Sequence, residues 1–130
     1  MTKPRLLLVD DDTNTLDGMV RVMKHYGFPV SGVFSGTEAL DLLSKKEFDI
    51  IITDMKLQEM GGLTLIREIR KKNEHIAIVV ITSYSSVKTA LDAKKCGAND
   101  YLTKPVNIEE LVQVIEKLWK KQQPADMTED

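Results

Sequence analysis

Cysteine is nearly missing from this 130-residue sequence: Cys96 is the only one. One thiol closes no disulfide within the chain and builds no cysteine-based zinc site. Histidine is as scarce. His25 and His75 stand far apart in the chain, which argues against a histidine-rich metal centre. There is no excess of positive charge either. The 18 Lys+Arg against 20 Asp+Glu leave a net charge of −2, so the bulk basicity that holds nucleic acid or an anionic membrane is lacking. Long apolar runs are absent. Met1-Thr2-Lys3-Pro4-Arg5 leads into a short run, Leu6–Val9, too short for the apolar region of a signal peptide. No run approaches the ~20 residues of a membrane span. These absences point to a soluble, cytoplasmic, single-domain protein. What is present is an ordinary globular balance, 42% hydrophobic and 29% charged, which argues against disorder. A chain of this length buries roughly two-thirds of its unfolded surface, enough for a core without covalent staples.

Short apolar runs recur at Leu6–Val9, Ile50–Ile52, Ala77–Ile81 and Tyr101–Leu102. Another, Val30–Phe34, is broken by Ser31 and Gly32. Between them the apolar period is helical. Leu16, Met19, Val20 and Met23 form one stripe. Ile108, Leu111, Val112, Ile115, Leu118 and Trp119 form the longest. Ala39, Leu40 and Leu43, and Leu65, Ile66 and Ile69, form shorter ones. The fourth helical segment, Val87–Lys95, is weakest, with Val87, Ala90, Leu91 and little else. Boundary signals agree. Gly27 and Gly97 stand where glycines end helices. Ser35 with Glu38, and Asn107 with Glu110, have capping-box spacing. Pro105 follows the last strand and cannot continue a ladder.

Strand and helix thus alternate five times, which implies a parallel sheet covered by helices on both faces. Strands buried on both faces read as unbroken apolar runs, so the first, third and fourth are central. The interrupted second and the short fifth belong at the edges. With right-handed crossovers the predicted fold is α/β, a flavodoxin-like (βα)5 doubly wound parallel sheet in strand order 2-1-3-4-5. The folded unit is placed at residues 1–121, with 122–130, including Pro124, as a tail or linker.

In such a sheet ligands bind beyond the carboxyl ends of the strands, at the switch point between the first and third. Asp10, Asp11 and Asp12 follow the first strand and Asp54 the third. Thr82 follows the fourth, and Thr103 and Lys104 the fifth. Carboxylates converging on one crevice repel each other and call for a counter-charge. Mg²⁺ suits, because it takes one or two carboxylates and keeps several waters. An added lysine and hydroxyl complement a phosphoryl group, and a carboxylate there can form an aspartyl-phosphate. Each group taken alone reads more simply as a solvated loop residue or a cap. Asp12 or Thr13, for instance, suits the N-cap of the first helix. Their convergence at one crevice is what points to a site.

The set Leu6-Leu7-Leu8-Val9-Asp10-Asp11-Asp12, Asp54, Thr82-Ser83 and Tyr101-Leu102-Thr103-Lys104-Pro105 resembles the receiver domain of two-component response regulators, over about residues 4–121. The resemblance implies roles. Asp10 and Asp11 would hold Mg²⁺, Asp11 directly and Asp10 mainly through water. Asp54 would be the phosphoacceptor, and Lys56 would give its backbone carbonyl to the metal. Thr82 would be the switch hydroxyl, Lys104 the lysine that pairs with the phosphoryl group, and Tyr101 the aromatic that turns inward when Thr82 moves. The Lys104–Pro105 bond is often cis in this family. Leu57-Gln58 departs from the common Met-Pro after the phosphoacceptor and should loosen that loop, while Gly62 keeps the usual glycine. Lys56 and Tyr84 occupy variable positions that set the autodephosphorylation rate.

The implied partners are a sensor histidine kinase or phosphotransfer protein, an output domain or target protein, and a second copy in a phosphorylation-dependent dimer. Neither direct nucleic-acid binding nor a membrane is implied, and the protein is expected not to be an enzyme. The fourth helix, fifth strand and fifth helix would form the output surface. The poor apolar stripe of the fourth helix independently suggests weak docking there.

Three other readings compete. A haloacid-dehalogenase-like phosphatase would take its Asp-x-Asp from Asp10-Asp11-Asp12. Asn14 stands where that family prefers Thr or Val, the late strand ends offer Thr82 and Lys104 instead of an acidic pair, and there is no room for a typical cap. A flavodoxin-like cofactor module would have to cradle a phosphate in a first loop that holds three aspartates, which repel it. A receiver-shaped module that is never phosphorylated would not need the complete residue set. The remaining features read as structural: Cys96 as a small half-buried hydrophobe, Met19 and Met23 as core, and Trp119 as packing for the last helix. The pairs Lys45-Lys46, Lys71-Lys72, Lys94-Lys95 and Lys120-Lys121 read as solvated helix faces.

Overall fold

The computed structural model describes residues 3–57, 60–83 and 86–123. Gln58, Tyr84 and Pro124, discussed above, lie outside the described residues, as does most of the tail. Ten elements alternate: β1 (Leu6–Val9), α1 (Thr13–His25), β2 (Val30–Val33), α2 (Gly36–Lys45), β3 (Ile50–Thr53), α3 (Gly62–Lys72), β4 (Ala77–Thr82), α4 (Val87–Cys96), β5 (Asp100–Thr103) and α5 (Ile108–Gln122). The five strands are parallel, in order β2-β1-β3-β4-β5. The unbroken apolar strands are buried along their whole length, while β2 and β5 are only partly buried at the edges. The fifth strand extends one residue beyond the Tyr101–Leu102 run at each end, and Phe34 falls outside β2.

Side chains alternate between the two sheet faces, and the core divides accordingly. Leu6, Leu8, Ile50, Ile52, Val79 and Leu102 pack with Leu16 and Met23 of α1 and Leu111, Ile115 and Leu118 of α5. Leu7, Val9, Ile51, Ile78 and Val80 pack with Ala39 of α2, Leu65, Ile66 and Ile69 of α3, and Ala93 of α4. Each Leu or Ile fully buried in this way contributes about 1.5–3 kcal/mol.

Helix α1 begins at Asp12, whose carboxylate caps the N–H groups of Asn14 and Thr15. Ser35 accepts from the Glu38 N–H. The Glu38 carboxylate reaches back to the Phe34 N–H at 2.8 Å rather than to that of Ser35. Asn107 caps α5 through the Glu110 N–H at 3.0 Å. Helix α4 departs from its expected stripe. Val87 and Leu91 are 79% and 52% exposed, and the buried residue is Ala93. Cys96 is half-buried against the α2/α3/α4 side and Trp119 packs against the α1/α5 side. The paired lysines are all exposed. Among the described residues no helix is long and apolar enough to cross a membrane.

Candidate functional site

Asp10, Asp54 and Lys104 are each the first residue past a strand: β1, β3 and β5 respectively. Their backbone N–H groups still belong to the ladder. Asp10 donates to the Val33 carbonyl at 3.2 Å, Asp54 to that of Val9 at 3.1 Å, and Lys104 to that of Thr82 at 3.0 Å. Sheet pairing therefore fixes these three positions before any side-chain contact forms. Leu8, Ile52 and Leu102, two residues upstream of each, all face the α1/α5 side. By the same alternation the three strand-end side chains start on that side.

There they meet. The Lys104 Nζ donates to Asp10 Oδ2 at 3.0 Å and to Asp54 Oδ2 at 2.8 Å. The remaining oxygens are held by backbone, Asp10 Oδ1 by the Asp12 N–H at 2.9 Å and Asp54 Oδ1 by the Lys56 N–H at 3.1 Å. Both carboxylate side chains are 12% exposed and that of Lys104 is 26% exposed. Burial works against the lysine's charge, but hydrogen bonds to Asp54 and Asp10 outweigh it, and the Lys104 pKa is raised above its ordinary value. An apolar cavity of about 180 Å³ adjoins the trio, lined by Leu8, Leu16, Met19, Ile52, Ile81 and Val106 among others. Such walls lower the local dielectric and strengthen every charge interaction at the rim.

The three consecutive aspartates have separate surroundings. Asp10 is buried and faces Lys104, Asp11 is half-buried in the turn, and Asp12 is exposed and caps α1. Two carboxylates share one ammonium, and Asp11 follows Asp10 directly in the chain, so acidic groups outnumber the lysine here. Among the described residues no three His, Cys, Asp or Glu side chains form a ready cage for a metal. Mg²⁺ requires none, since one or two carboxylates plus water complete its shell. The donors here are hard oxygens, which suit Mg²⁺ over soft or imidazole-seeking metals. The residues present fit that ion.

Gly62 shapes the loop under Asp54. It opens α3, and its N–H donates to the Met55 carbonyl at 2.9 Å. A Cβ there would lie 2.7 Å from Met55 Cα and 3.0 Å from the Asp54 carbonyl oxygen, both backbone atoms. Only glycine lets α3 begin this close to the acidic loop. Leu57 is buried nearby. The Lys104–Pro105 peptide bond is cis.

Thr82 and Tyr101 form a second group. Thr82 is fully buried at the end of β4, in the alternation of Ile78 and Val80, which face the α2/α3/α4 side. Tyr101 is half-buried on the same side, and its hydroxyl shares a hydrogen bond with Thr89 Oγ1 of α4 at 2.9 Å. The structure thus joins Asp10, Asp54 and Lys104 directly and flanks them with Asp11 and Lys56. Thr82 ends β4 and Tyr101 lies in the neighbouring β5, which pairs with it. Sequence reasoning missed Thr89. Its signal was the Ser86-x-x-Thr89 spacing, which forms a complete capping box with Thr in place of the usual Glu or Gln.

Comparison with known proteins agrees with this geometry. Residues 6–116 match the family model of the response regulator receiver domain. The chain is 37% identical over 112 residues to the transcriptional regulatory protein ZraR of Salmonella typhimurium, covering 86% of this chain and 25% of that protein. It is 31% identical over 125 residues to the response regulator MprA of Mycobacterium bovis, covering 96% of this chain and 54% of that protein. The chain therefore spans about a quarter to a half of the length of these curated relatives. Among solved structures, the receiver domain of the Francisella response regulator 1452 superposes with a TM-score of 0.88 at 28% identity, over 93% of this chain and all of that one. A receiver domain from Clostridium thermocellum superposes with a TM-score of 0.87 at 30% identity, over 92% and 96% of the two chains. The strand order, the strand-end carboxylates around one lysine and these matches lead to one conclusion: the chain belongs to the response regulator receiver domain family, the signalling domains of two-component systems.

Proposed function

We propose that this chain accepts a phosphoryl group onto Asp54 from a phosphohistidine on a sensor histidine kinase or phosphotransfer protein. The observation that supports this most is a single ammonium, Lys104 Nζ, hydrogen-bonded to two strand-end carboxylates at 3.0 and 2.8 Å. In the transfer an Asp54 oxygen forms a bond to phosphorus as the phosphorus–nitrogen bond breaks. The imidazole nitrogen keeps the electron pair and leaves. The Lys56 N–H orients the carboxylate by holding Oδ1. Lys104, already at the site, exchanges a carboxylate partner for a phosphoryl oxygen and stabilises charge where it develops. Asp10, Asp11, Asp54 and the Lys56 carbonyl would hold Mg²⁺, which when bound neutralises phosphoryl charge.

The new group adds about −1.5 to −2 charge. The Thr82 hydroxyl moves onto a phosphoryl oxygen, Tyr101 turns into the space it leaves, and the Tyr101–Thr89 hydrogen bond is given up. The α4–β5–α5 surface changes as a result and is the face read by an output domain, a target protein or a second copy of the chain. The modification is stoichiometric, one phosphoryl group per chain, rather than turnover of a substrate. The signalling unit is residues 1–121, with 122–130 as a tail or linker. Gln122 still donates to the Asp49 and His75 carbonyls at the base of the sheet.

The test is intact mass after incubation with acetyl phosphate, with and without Mg²⁺, for the parent and for Asp54→Asn. One Mg²⁺-dependent adduct that disappears in the variant is expected. An adduct that survives Asp54→Asn would move the nucleophile to Asp10, Asp11 or Asp12 and overturn the assignment. No adduct from acetyl phosphate or from phosphohistidine donors would leave a receiver-shaped module that works unphosphorylated.

A further inference from the structure

Arg70, near the end of α3, is half-buried, and its five N–H donors all go to neutral acceptors. Nε donates to the Gly97 carbonyl at 3.1 Å. Nη2 donates to the same carbonyl at 2.8 Å and to Asn99 Oδ1 at 2.9 Å. Nη1 donates to the carbonyls of Asn73 at 3.2 Å and Ile76 at 2.7 Å. Asn73 and Gly97 are the C-caps of α3 and α4. Helix C-termini carry partial negative charge, so one guanidinium compensates two helix ends at once. Burial lowers its pKa, so the charge sits where only a structural return offsets its desolvation. Asn99 Oδ1 also accepts from the Ile78 N–H at 2.7 Å, which ties β4 into the same clamp.

Gly97 is matched to it. Its φ of +122° favours glycine, and a Cβ would lie 2.7 Å from Arg70 Cγ and 2.8 Å from Nε. The C-terminal turn of α4 is therefore clamped. Its N-terminal half is held differently: Val87 and Leu91 point outward, and the Thr89–Tyr101 hydrogen bond ties it to β5. We infer that Arg70 is a positioning residue that makes Gly97 the pivot of α4, so that the helix swings by its N-terminal half when the Thr89–Tyr101 bond is released. The use of this swing in signalling rests on the phosphoacceptor reading above, whereas the clamp does not.

The test is amide hydrogen exchange by NMR on the full chain. In the parent, Ala90–Asp92 should exchange roughly tenfold faster than Gly97 and Ala98. Arg70→Lys keeps the charge but loses the fork. It should speed exchange at Gly97 and Ala98 roughly tenfold, the equivalent of about one charge-assisted hydrogen bond, and leave Leu65–Ile69 unchanged. Arg70→Met should do so more strongly, and if it fails to fold, Arg70→Lys decides. With beryllofluoride and Mg²⁺ as the phosphoryl mimic, parent shift changes should span residues 86–92 and fade by Gly97. In Arg70→Lys they should spread through residues 97–99. Uniform exchange along α4 in the parent, or unchanged exchange at Gly97 and Ala98 in Arg70→Lys, overturns the inference. If the mimic does not bind, the phosphoacceptor reading fails, and the exchange gradient still decides the pivot.

Discussion

Lys104→Met removes the cation shared by Asp10 and Asp54 and keeps most of the side-chain volume. Breaking a fully buried pair costs about 3–5 kcal/mol, while an exposed pair is worth about 0–1 kcal/mol. The carboxylates are nearly buried, and the lysine is 26% exposed and partly screened. Two charge-assisted hydrogen bonds are lost and two carboxylates are left facing each other, so the expected loss is about 2–3 kcal/mol. With a typical urea slope of about 1–3 kcal/mol/M, the midpoint should fall by about 0.7–3 M. Mg²⁺ should stabilise the variant more than the parent, because it binds the folded state and no ammonium competes for the same oxygens.

The pH dependence carries a second signature. The Lys104 pKa is raised on folding. Its contribution is therefore complete below the ordinary lysine value near 10.5 and is lost as pH rises through the higher folded value. Parent stability should fall in that alkaline window more than the variant's does. Urea unfolding across pH, with and without Mg²⁺, reads all three effects. A loss under about 0.5 kcal/mol, insensitive to Mg²⁺, would mean that the trio behaves as solvated surface charge, and the electrostatic account of the site would be refuted.

Two further substitutions separate packing from switching. Gly62→Ala gains up to about 1 kcal/mol from a stiffer unfolded chain, but its Cβ would overlap the Met55 and Asp54 backbone. We expect a net loss of about 1–2 kcal/mol and slower phosphorylation by acetyl phosphate, because the backbone that must yield carries Asp54, the proposed phosphoacceptor. An unchanged unfolding midpoint together with an unchanged rate would contradict this. Tyr101→Phe removes the bond to Thr89 at a cost of about 0.5–1.5 kcal/mol. Amide exchange should show a looser N-terminal half of α4 without phosphorylation. Equal exchange at Ala90–Asp92 in parent and variant would show that the bond does not restrain the helix.

Much of the site was legible because it sits at strand ends. Asp10, Asp54 and Lys104 each stand within two residues of the end of an apolar run, one residue past a strand, and parallel strands bring those positions to one edge. What could not be read were pairings that depend on how a helix is rotated and where it ends. Val87 and Leu91 appeared in sequence as a weak core stripe, yet they face solvent because α4 docks through Ala93. The cap of α1 was legible to within one residue, Asp12 or Thr13, and the structure gives it to Asp12. Arg70 reads as one more basic residue in the last turn of α3, and its acceptors at Gly97 and Asn99 lie far along the chain.

By itself the sequence determined the alternation of five strands and five helices, the central and edge strands, and the strand-end polar groups. These follow from hydrophobic period and local punctuation, which act over a few residues. Only the tertiary structure decided that one ammonium reaches two carboxylates 94 and 50 residues away. It also decided that Tyr101 is tied to Thr89 and that the end of α4 is clamped by α3. Those contacts depend on ångström-scale placement of packed elements, set by the summed fit of both core faces rather than by any local stretch of chain.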